Sequence, residues 1–197
     1  MTATVLPAAP GWERRVAELV RSAAPGPAGN RLVTVDGFSG AGKSTRAAEL
    51  AHRLAAPLLE IEDLCPGWDG LARVPELARR GIGEPLAAGE PLRWTAWDWE
   101  HERPGPEREH PAADVVVLEG CGAGAAALAP VTSLSIWVDA PPDVRTERLR
   151  ARADWSRYAP FREAWRRAEE SLAAAEGSRE RADVLVLERS GRRAGPP

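Results

Sequence analysis

The chain has 197 residues, a length that suits one domain with a substantial core and is short for two. A net charge of −3 argues against a nucleic acid partner, and no apolar stretch approaches the roughly 20 residues that span a bilayer. Neither cysteine has metal-ligand spacing and no signal segment opens the chain, so we expect one soluble domain over 1–197 in a reducing cytoplasm.

The first 30 residues predict a helix followed by a linker. Trp12, Val16 and Val20 recur at helical spacing within 12–23, which is typical of a helix that packs on a core. The Pro- and Gly-rich stretch 25–30 then ends the helix.

A phosphate-binding motif follows the first buried strand, 32–36. Residues 37–44 read Gly-Phe-Ser-Gly-Ala-Gly-Lys-Ser and match G-x-x-x-x-G-K-[ST] in full. Lys43 is the only lysine among 26 basic residues, at the position where a compact ammonium has to reach between phosphates. The sequence therefore predicts a nucleoside triphosphate site.

The strand, the glycine turn and the apolar-striped helix of 44–54 arrange backbone N–H groups around an anion at a helix N-terminus. In this motif Ser44 ligates Mg²⁺ and Thr45 contacts the α-phosphate. The predicted nucleotide-binding residues are Gly37, Ser39, Gly40, Ala41, Gly42, Lys43, Ser44 and Thr45.

Five apolar segments separated by helical stretches predict an α/β fold of the P-loop NTPase type, with a five-stranded parallel sheet flanked by helices. Acidic residues close four of these strands, at the edge where α/β sheets bind ligands. Glu119 would hold Mg²⁺ through water, whereas Asp139 is more typical of a helix cap or a turn-setting residue. The strands are 32–36, 57–62, 114–119, 133–139 and 182–188, and the acids are Asp36, Glu62, Asp63, Glu119 and Asp139.

Residues 63–112 predict a substrate-binding insertion rich in Trp, Pro and charge. Its tryptophans could stack on a flat ring with polar groups beside them, or some could only pack the core. The spacing of Trp97 and Trp99 is typical of a strand edge. The predicted substrate residues are Trp68, Trp97, Asp98, Trp99 and His101.

Arginines dominate the segment after the fourth strand. Arg145, Arg148 and Arg152 share one face if the segment is helical, which fits either a solvated surface or a mobile lid over a transferring phosphoryl group. We expect 145–160 to be a lid, with Arg148 and Arg152 as catalytic residues. Residues 190–197 predict a disordered tail.

These segments together resemble the uridine kinase branch of the P-loop kinases, from Leu32 to Glu188. The resemblance implies that Glu62, or Asp63 behind it, accepts the proton of the attacking hydroxyl, although Leu64 and Cys65 replace the family's aromatics. It also implies that Trp97-Asp98-Trp99 lies near a nucleoside base, with His101 offset by one position from the family's histidine, and that 145–152 is a lid.

The predicted activity is transfer of the γ-phosphate of Mg-ATP to a hydroxyl group of a small molecule, with Lys43 as the principal catalytic cation. The leading candidate for the acceptor is a pyrimidine nucleoside. The chain has no glutamine and only one asparagine, Asn30, which excludes GTPase and transporter-ATPase signatures. A phosphotransferase acting on a nucleotide or an antibiotic-like alcohol, and a non-catalytic nucleotide-binding module, are the alternatives. The choice between ATP and GTP and the oligomeric state, a homo-oligomer included, are open.

Overall fold

A six-stranded sheet forms the centre of the molecule in the computed structural model, which describes residues 3–188. The strand order is β1-β8-β7-β2-β6-β3, and every pair of neighbours is parallel. The strands are β1 (Thr4–Pro7), β2 (Arg31–Asp36), β3 (Leu58–Glu60), β6 (Val115–Glu119), β7 (Thr132–Asp139) and β8 (Val184–Leu187), with β4 (Leu92–Asp98) and β5 (Arg103–His110) in a separate hairpin.

The expectation of five strands was wrong by one, because the edge strand β1 has no strong sequence signal. Of its four residues only Leu6 is buried, and Val5 is 59% exposed. An edge strand needs only one paired side and one buried residue, so it lacks the apolar run that marks a central strand. The predicted tail, 190–197, lies outside the described residues.

Helices cover both faces of the sheet. On one face α1 and α2 enclose a core that includes Trp12, Val16 and Leu50 against Val33 and Val35 of β2. Side chains alternate along a strand, so Leu32 and Thr34, the neighbours of Val33 in sequence, point to the opposite face of the sheet. The helices are α1 (Trp12–Ser22), α2 (Lys43–Leu54), α3 (Val74–Ala78), α4 (Glu84–Ala88), α5 (Pro142–Arg150), α6 (Trp155–Tyr158) and α7 (Arg162–Glu176).

Residues 63–112 form short helices and the β4–β5 hairpin on the second face. A π-helical turn, Arg79–Gly83, joins α3 to α4. Leu92 of the hairpin is fully buried in the same core as Leu118 of β6 and Trp165 of α7. The insertion is therefore packed against the sheet near the C-terminal end of β6. Within residues 3–188, no helix combines the length and the apolar character needed to cross a membrane.

Candidate active site

The phosphate loop connects β2 to α2 and depends on glycine at two close approaches. Gly37 has φ of +145°, and a Cβ there would lie 2.2 Å from the Val138 carbonyl oxygen. Gly40 has φ of +79°, and a Cβ there would lie 2.5 Å from the Arg145 carbonyl oxygen. The loop can adopt this shape only where these residues have no side chain.

The Asp36 carboxylate holds the start of the loop against the β6 end of the sheet. It accepts hydrogen bonds from the backbone N–H groups of Gly37 (2.7 Å), Gly122 (3.1 Å) and Gly124 (3.0 Å). Burial raises the pKa of Asp36, and these three donors and the charge of Lys43 act in the opposite direction. Asp36 is thus a structural anchor of the loop.

Lys43 is 6% exposed and lies at the N-terminus of α2. Its ammonium donates to the Phe38 carbonyl at 3.2 Å and to the Cys121 sulfur at 3.4 Å. Burial acts to lower the pKa of Lys43, but Cys121 and the nearby carboxylates of Glu169, Glu62 and Glu119 outweigh it and raise the pKa. The lysine is therefore charged at neutral pH, as the phosphate-binding role requires.

A cavity of about 290 Å³ opens over the loop. It lies at the N-terminus of α2, where unpaired N–H groups and the helix dipole favour an anion. Gly37 and Ala41, two of the predicted nucleotide-binding residues, do not line this cavity. The cavity is lined by Ser39, Gly40, Gly42, Lys43, Ser44, Thr45, Glu62, Arg148 and Arg152.

The oxygen donors beside the loop fit a magnesium ion. Glu119 is 6% exposed, and its Oε2 has no hydrogen-bond partner among the described residues. Burial raises the pKa of Glu119, while Lys43 and the Ser44 hydroxyl act to lower it. No group of three or more His, Cys, Asp or Glu residues within 3–188 forms a cage for a metal. One carboxylate and one hydroxyl are the donor set that Mg²⁺ uses when substrate phosphates complete its shell.

A buried carboxylate that the sequence did not single out lies behind the loop. Glu169 of α7 is 4% exposed, and its Oε1 accepts from the Ser39 N–H (3.0 Å), the Cys121 thiol (2.8 Å) and the Trp165 indole (3.0 Å). The Ser39 hydroxyl also donates to this oxygen. Burial raises the pKa of Cys121 well above its ordinary value, so this residue is a neutral thiol donor. Glu169 was missed because no motif marks a glutamate on a helix 130 residues from its partner.

A second cavity, of about 220 Å³, adjoins the loop cavity. Four of its nine lining residues are aromatic, and we call it the aromatic cavity. Trp68 is packed edge-on to Trp99 in it, with ring centroids 5.0 Å apart. Ser39, Glu62 and Arg152 line both cavities. The second cavity is lined by Ser39, Glu62, Trp68, Trp99, Arg152, Asp154, Arg157, Tyr158 and Trp165.

Three predicted substrate residues, Trp97, Asp98 and His101, lie outside these two cavities. Trp97 faces a separate cavity of about 510 Å³ between the hairpin and α3, together with Trp94. Trp97 lies within β4, whereas β4 ends at Asp98 and Trp99 is the first residue of the turn that follows. Trp97 and Trp99 consequently line different cavities.

Asp98 and His101 lie together at the exposed end of the hairpin. The His101 Nδ1 is 2.8 Å from Asp98 Oδ2, and the histidine side chain is 57% exposed. The Asp98 carboxylate also accepts from the backbone N–H groups of Glu100 and His101. These hydrogen bonds lower the pKa of Asp98. Neither side chain lines the loop cavity or the aromatic cavity.

The arginines after β7 only partly share a helix face. Helix α5 ends at Arg150, and the Arg152 guanidinium bonds both oxygens of Asp154 at 2.8 Å in the turn beyond it. Arg148 bonds both oxygens of Glu188, at 2.8 and 2.7 Å. Arg145 instead lies over the Phe38 ring, 5.0 Å from its centroid. The lid role of 145–160 stays a prediction.

Asp139 does not cap α5, whose N-cap is Pro141 without a side-chain hydrogen bond. Its carboxylate lies 3.7 Å from the Arg179 guanidinium. Capping was therefore the wrong half of the interpretation, because two residues separate Asp139 from the first helical position, and its turn-setting half stays a prediction.

No protein-family model matches this sequence, and no curated protein matches it. Among solved structures, a possible uridine kinase from Bacillus stearothermophilus superimposes with a TM-score of 0.64 and 18% identity, over 88% of this chain and 96% of that one. A candidate fructose transport system kinase from Silicibacter sp. TM1040 superimposes with a TM-score of 0.57 and 20% identity, over 88% of this chain and 98% of that one. At these identities the likeness establishes the fold, and the chain has the fold of the P-loop kinases.

Proposed function

We propose that this protein is a kinase that transfers the γ-phosphate of ATP to a hydroxyl group of a small molecule. The observation that carries the proposal is the meeting of two cavities at Glu62 and Arg152, one over the phosphate loop and one walled by aromatic rings. A nucleotide in the first and an alcohol in the second would bring the γ-phosphate and the hydroxyl together beside these two side chains.

On this proposal the loop amides and Lys43 bind the phosphates and neutralise their charge. Ser44 and Glu119 would hold a Mg²⁺ ion, which supplies charge stabilisation to the β- and γ-phosphates when it is bound. Arg152 reaches the junction of the cavities and would stabilise charge on the transferring group. Arg148, at the edge of the loop cavity, has the same role once it leaves Glu188.

Glu62 orients the acceptor hydroxyl and accepts its proton. Its side chain lines both cavities, whereas Asp63, the second candidate, lines neither. A general base has to lie within hydrogen-bond reach of the proton it removes, and Glu62 meets this condition for an alcohol at the junction.

The first acceptor class to test is a pyrimidine nucleoside with a free 5′-hydroxyl, on the resemblance to the uridine kinase branch. A smaller, non-nucleoside alcohol is the second candidate. Two observations favour this smaller acceptor. Trp97, Asp98 and His101, which were expected near a nucleoside base, lie outside the aromatic cavity, and that cavity has a volume of only about 220 Å³. Since pockets for drug-sized ligands start at about 300 Å³, a compact alcohol would fill it better.

The experiment is Mg-ATP-dependent ADP release by the purified protein with a panel of nucleosides, nucleotides, sugars and other small alcohols, with Lys43→Ala as the control. Release that depends on one acceptor and is lost in the variant would support the kinase. Binding of Mg-ATP without release for any acceptor would favour a non-catalytic module and overturn the proposal.

Both cysteines are free, in keeping with the proposed cytoplasmic setting.

A further inference from the structure

Helix α7 connects the aromatic cavity to the phosphate loop through two residues one turn apart. Trp165 forms part of the aromatic wall, and Glu169 bonds Ser39 of the phosphate loop. The Trp165 indole donates to the same Glu169 oxygen at 3.0 Å. One helix thus carries a continuous hydrogen-bonded connection from the aromatic cavity to the loop.

The loop end of this connection occupies both donors of Ser39. Its N–H and its hydroxyl point to Glu169, so neither is directed to a phosphate. The Ala41 N–H donates to the Phe38 carbonyl at 3.0 Å, and Gly40, Gly42, Lys43 and Ser44 line the cavity. Glu169 therefore fixes the start of the turn and leaves these four residues beside the cavity.

The same carboxylate also acts on the cation of the site. Glu169 is among the groups that raise the pKa of Lys43, and the Cys121 sulfur lies between them, 2.8 Å from Glu169 and 3.4 Å from Lys43. A buried negative charge at this place offsets the cost of burying the ammonium. Helix α7 thus supports the loop's shape and its charge together.

We infer that Glu169 is a positioning residue that holds the phosphate loop in its anion-binding conformation and, through Trp165, links the loop to the wall of the acceptor cavity. The inference deepens the proposed function and rests on it for the identity of the second cavity. Its anchoring part can be tested with nucleotide alone.

The test compares Glu169→Ala and Glu169→Gln with Glu170→Gln, the matched control. Glu170 is the next residue of α7, is exposed, and pairs with Arg166 at 2.7 Å away from both cavities. Hydrogen–deuterium exchange of the nucleotide-free protein reports on the amides of 37–42, and titration calorimetry with the non-hydrolysable analogue Mg-AMPPNP reports on binding.

We expect Glu169→Ala to speed amide exchange in 37–42 about tenfold and to leave the exchange rates of the central strands unchanged. Binding of Mg-AMPPNP should weaken by a similar factor, because a displaced loop loses several phosphate contacts at once. Glu169→Gln, which keeps an acceptor oxygen and loses the charge, should show a smaller change in the same direction. Glu170→Gln should match the wild type in both measurements.

Wild-type exchange and binding in both Glu169 variants would overturn the inference. If Glu169→Ala exchanges everywhere because it unfolds, Glu169→Gln decides: an increase confined to the loop supports the anchor, and no increase refutes it. Trp165→Phe keeps an aromatic side chain, although a smaller one, and removes the donor, so an unchanged loop in that variant would refute the link to the acceptor wall. A wild-type protein that binds nucleotide but phosphorylates nothing would end the kinase proposal and leave the exchange result standing.

Discussion

The Lys43 ammonium donates a hydrogen bond to the Cys121 sulfur across 3.4 Å, and the Cys121 thiol in turn donates to Glu169 at 2.8 Å. A cysteine beside a lysine is often a reactive thiolate, because the positive charge favours its ionised form. Here burial dominates, and it raises the pKa of Cys121 well above the ordinary value despite Lys43.

Both cysteines should therefore resist thiol reagents in the folded protein. Burial, with a further contribution from Glu62, raises the pKa of Cys65 to about 12, so only about one thiol in ten thousand is ionised at pH 8. We expect no colour with a disulfide reagent from native protein and two equivalents after denaturation. Rapid modification of one thiol in the native state would contradict the burial of these sites.

Glu62 and Asp63 are adjacent in sequence and should differ in function. Glu62→Gln removes the proposed base at the junction of the cavities, and we expect turnover to fall by roughly a hundredfold or more, with nucleotide binding nearly unchanged. Asp63→Asn should keep most of the activity, because Asp63 lines neither cavity. Steady-state kinetics with the acceptor found in the panel, together with the affinity for Mg-ATP, would check both variants, and the reverse ranking would assign the base to Asp63.

Arg152 should matter more for turnover than for binding. Replacing it by Ala removes a cation at the junction, and we expect the rate to fall by about a hundredfold, as for the loss of one donor to a developing negative charge. Arg150→Ala is the control, since Arg150 is exposed at the end of α5 and lines neither cavity. Equal rates in the two variants would leave Arg152 as a surface partner of Asp154.

Two glycines with positive φ should differ sharply on substitution. Gly37→Ala forces a Cβ to within 2.2 Å of the Val138 carbonyl oxygen, and we expect the free energy of unfolding to fall by more than about 2 kcal/mol. A Cβ at Gly29 has no atom within 4 Å, so Gly29→Ala should lower the free energy of unfolding only by the cost of the left-handed conformation, about 1 kcal/mol. Urea denaturation followed by circular dichroism measures both, and equal losses would exclude the proposed close approach.

Tyr158 is the only tyrosine and lies in the wall of the aromatic cavity, so its ionisation reports on that site. Burial, with the charge of Glu169, raises the pKa of Tyr158 from 10.0 to about 12. The folded state prefers the neutral phenol, so this contribution to stability is present below pH 10 and is lost as the pH rises toward 12.

The phenolate absorbance should consequently appear only well above pH 10 in native protein and near pH 10 in denatured protein. Tyr158→Phe has no phenol and is the control for the absorbance titration. Its free energy of unfolding should fall less between pH 10 and 12 than that of the wild type. A native midpoint near 10 would mean that the phenol is solvated.

The sequence by itself determined the phosphate loop, the central strands and three of the four acidic strand ends. The second was wrong, since β3 ends at Glu60 and Glu62 and Asp63 lie in the 3₁₀ helix Ile61–Leu64. These features are local: the loop's chemistry is carried by eight consecutive residues, and a buried parallel strand is an uninterrupted apolar run. Glu119 could be placed at the end of its strand for the same reason, because it directly follows such a run, and its role as a metal ligand stays a prediction.

The tertiary structure decided which side chains meet. Glu169 reaches Ser39 across 130 residues, a pairing set by the packing of α7 behind the loop. The end of β4 at Asp98 leaves Trp97 in the strand and Trp99 in the turn after it, and the two line different cavities although their spacing alone puts them on one face. Contacts between distant segments, and the residue at which a strand ends, depend on how whole elements pack, which no short stretch of sequence encodes.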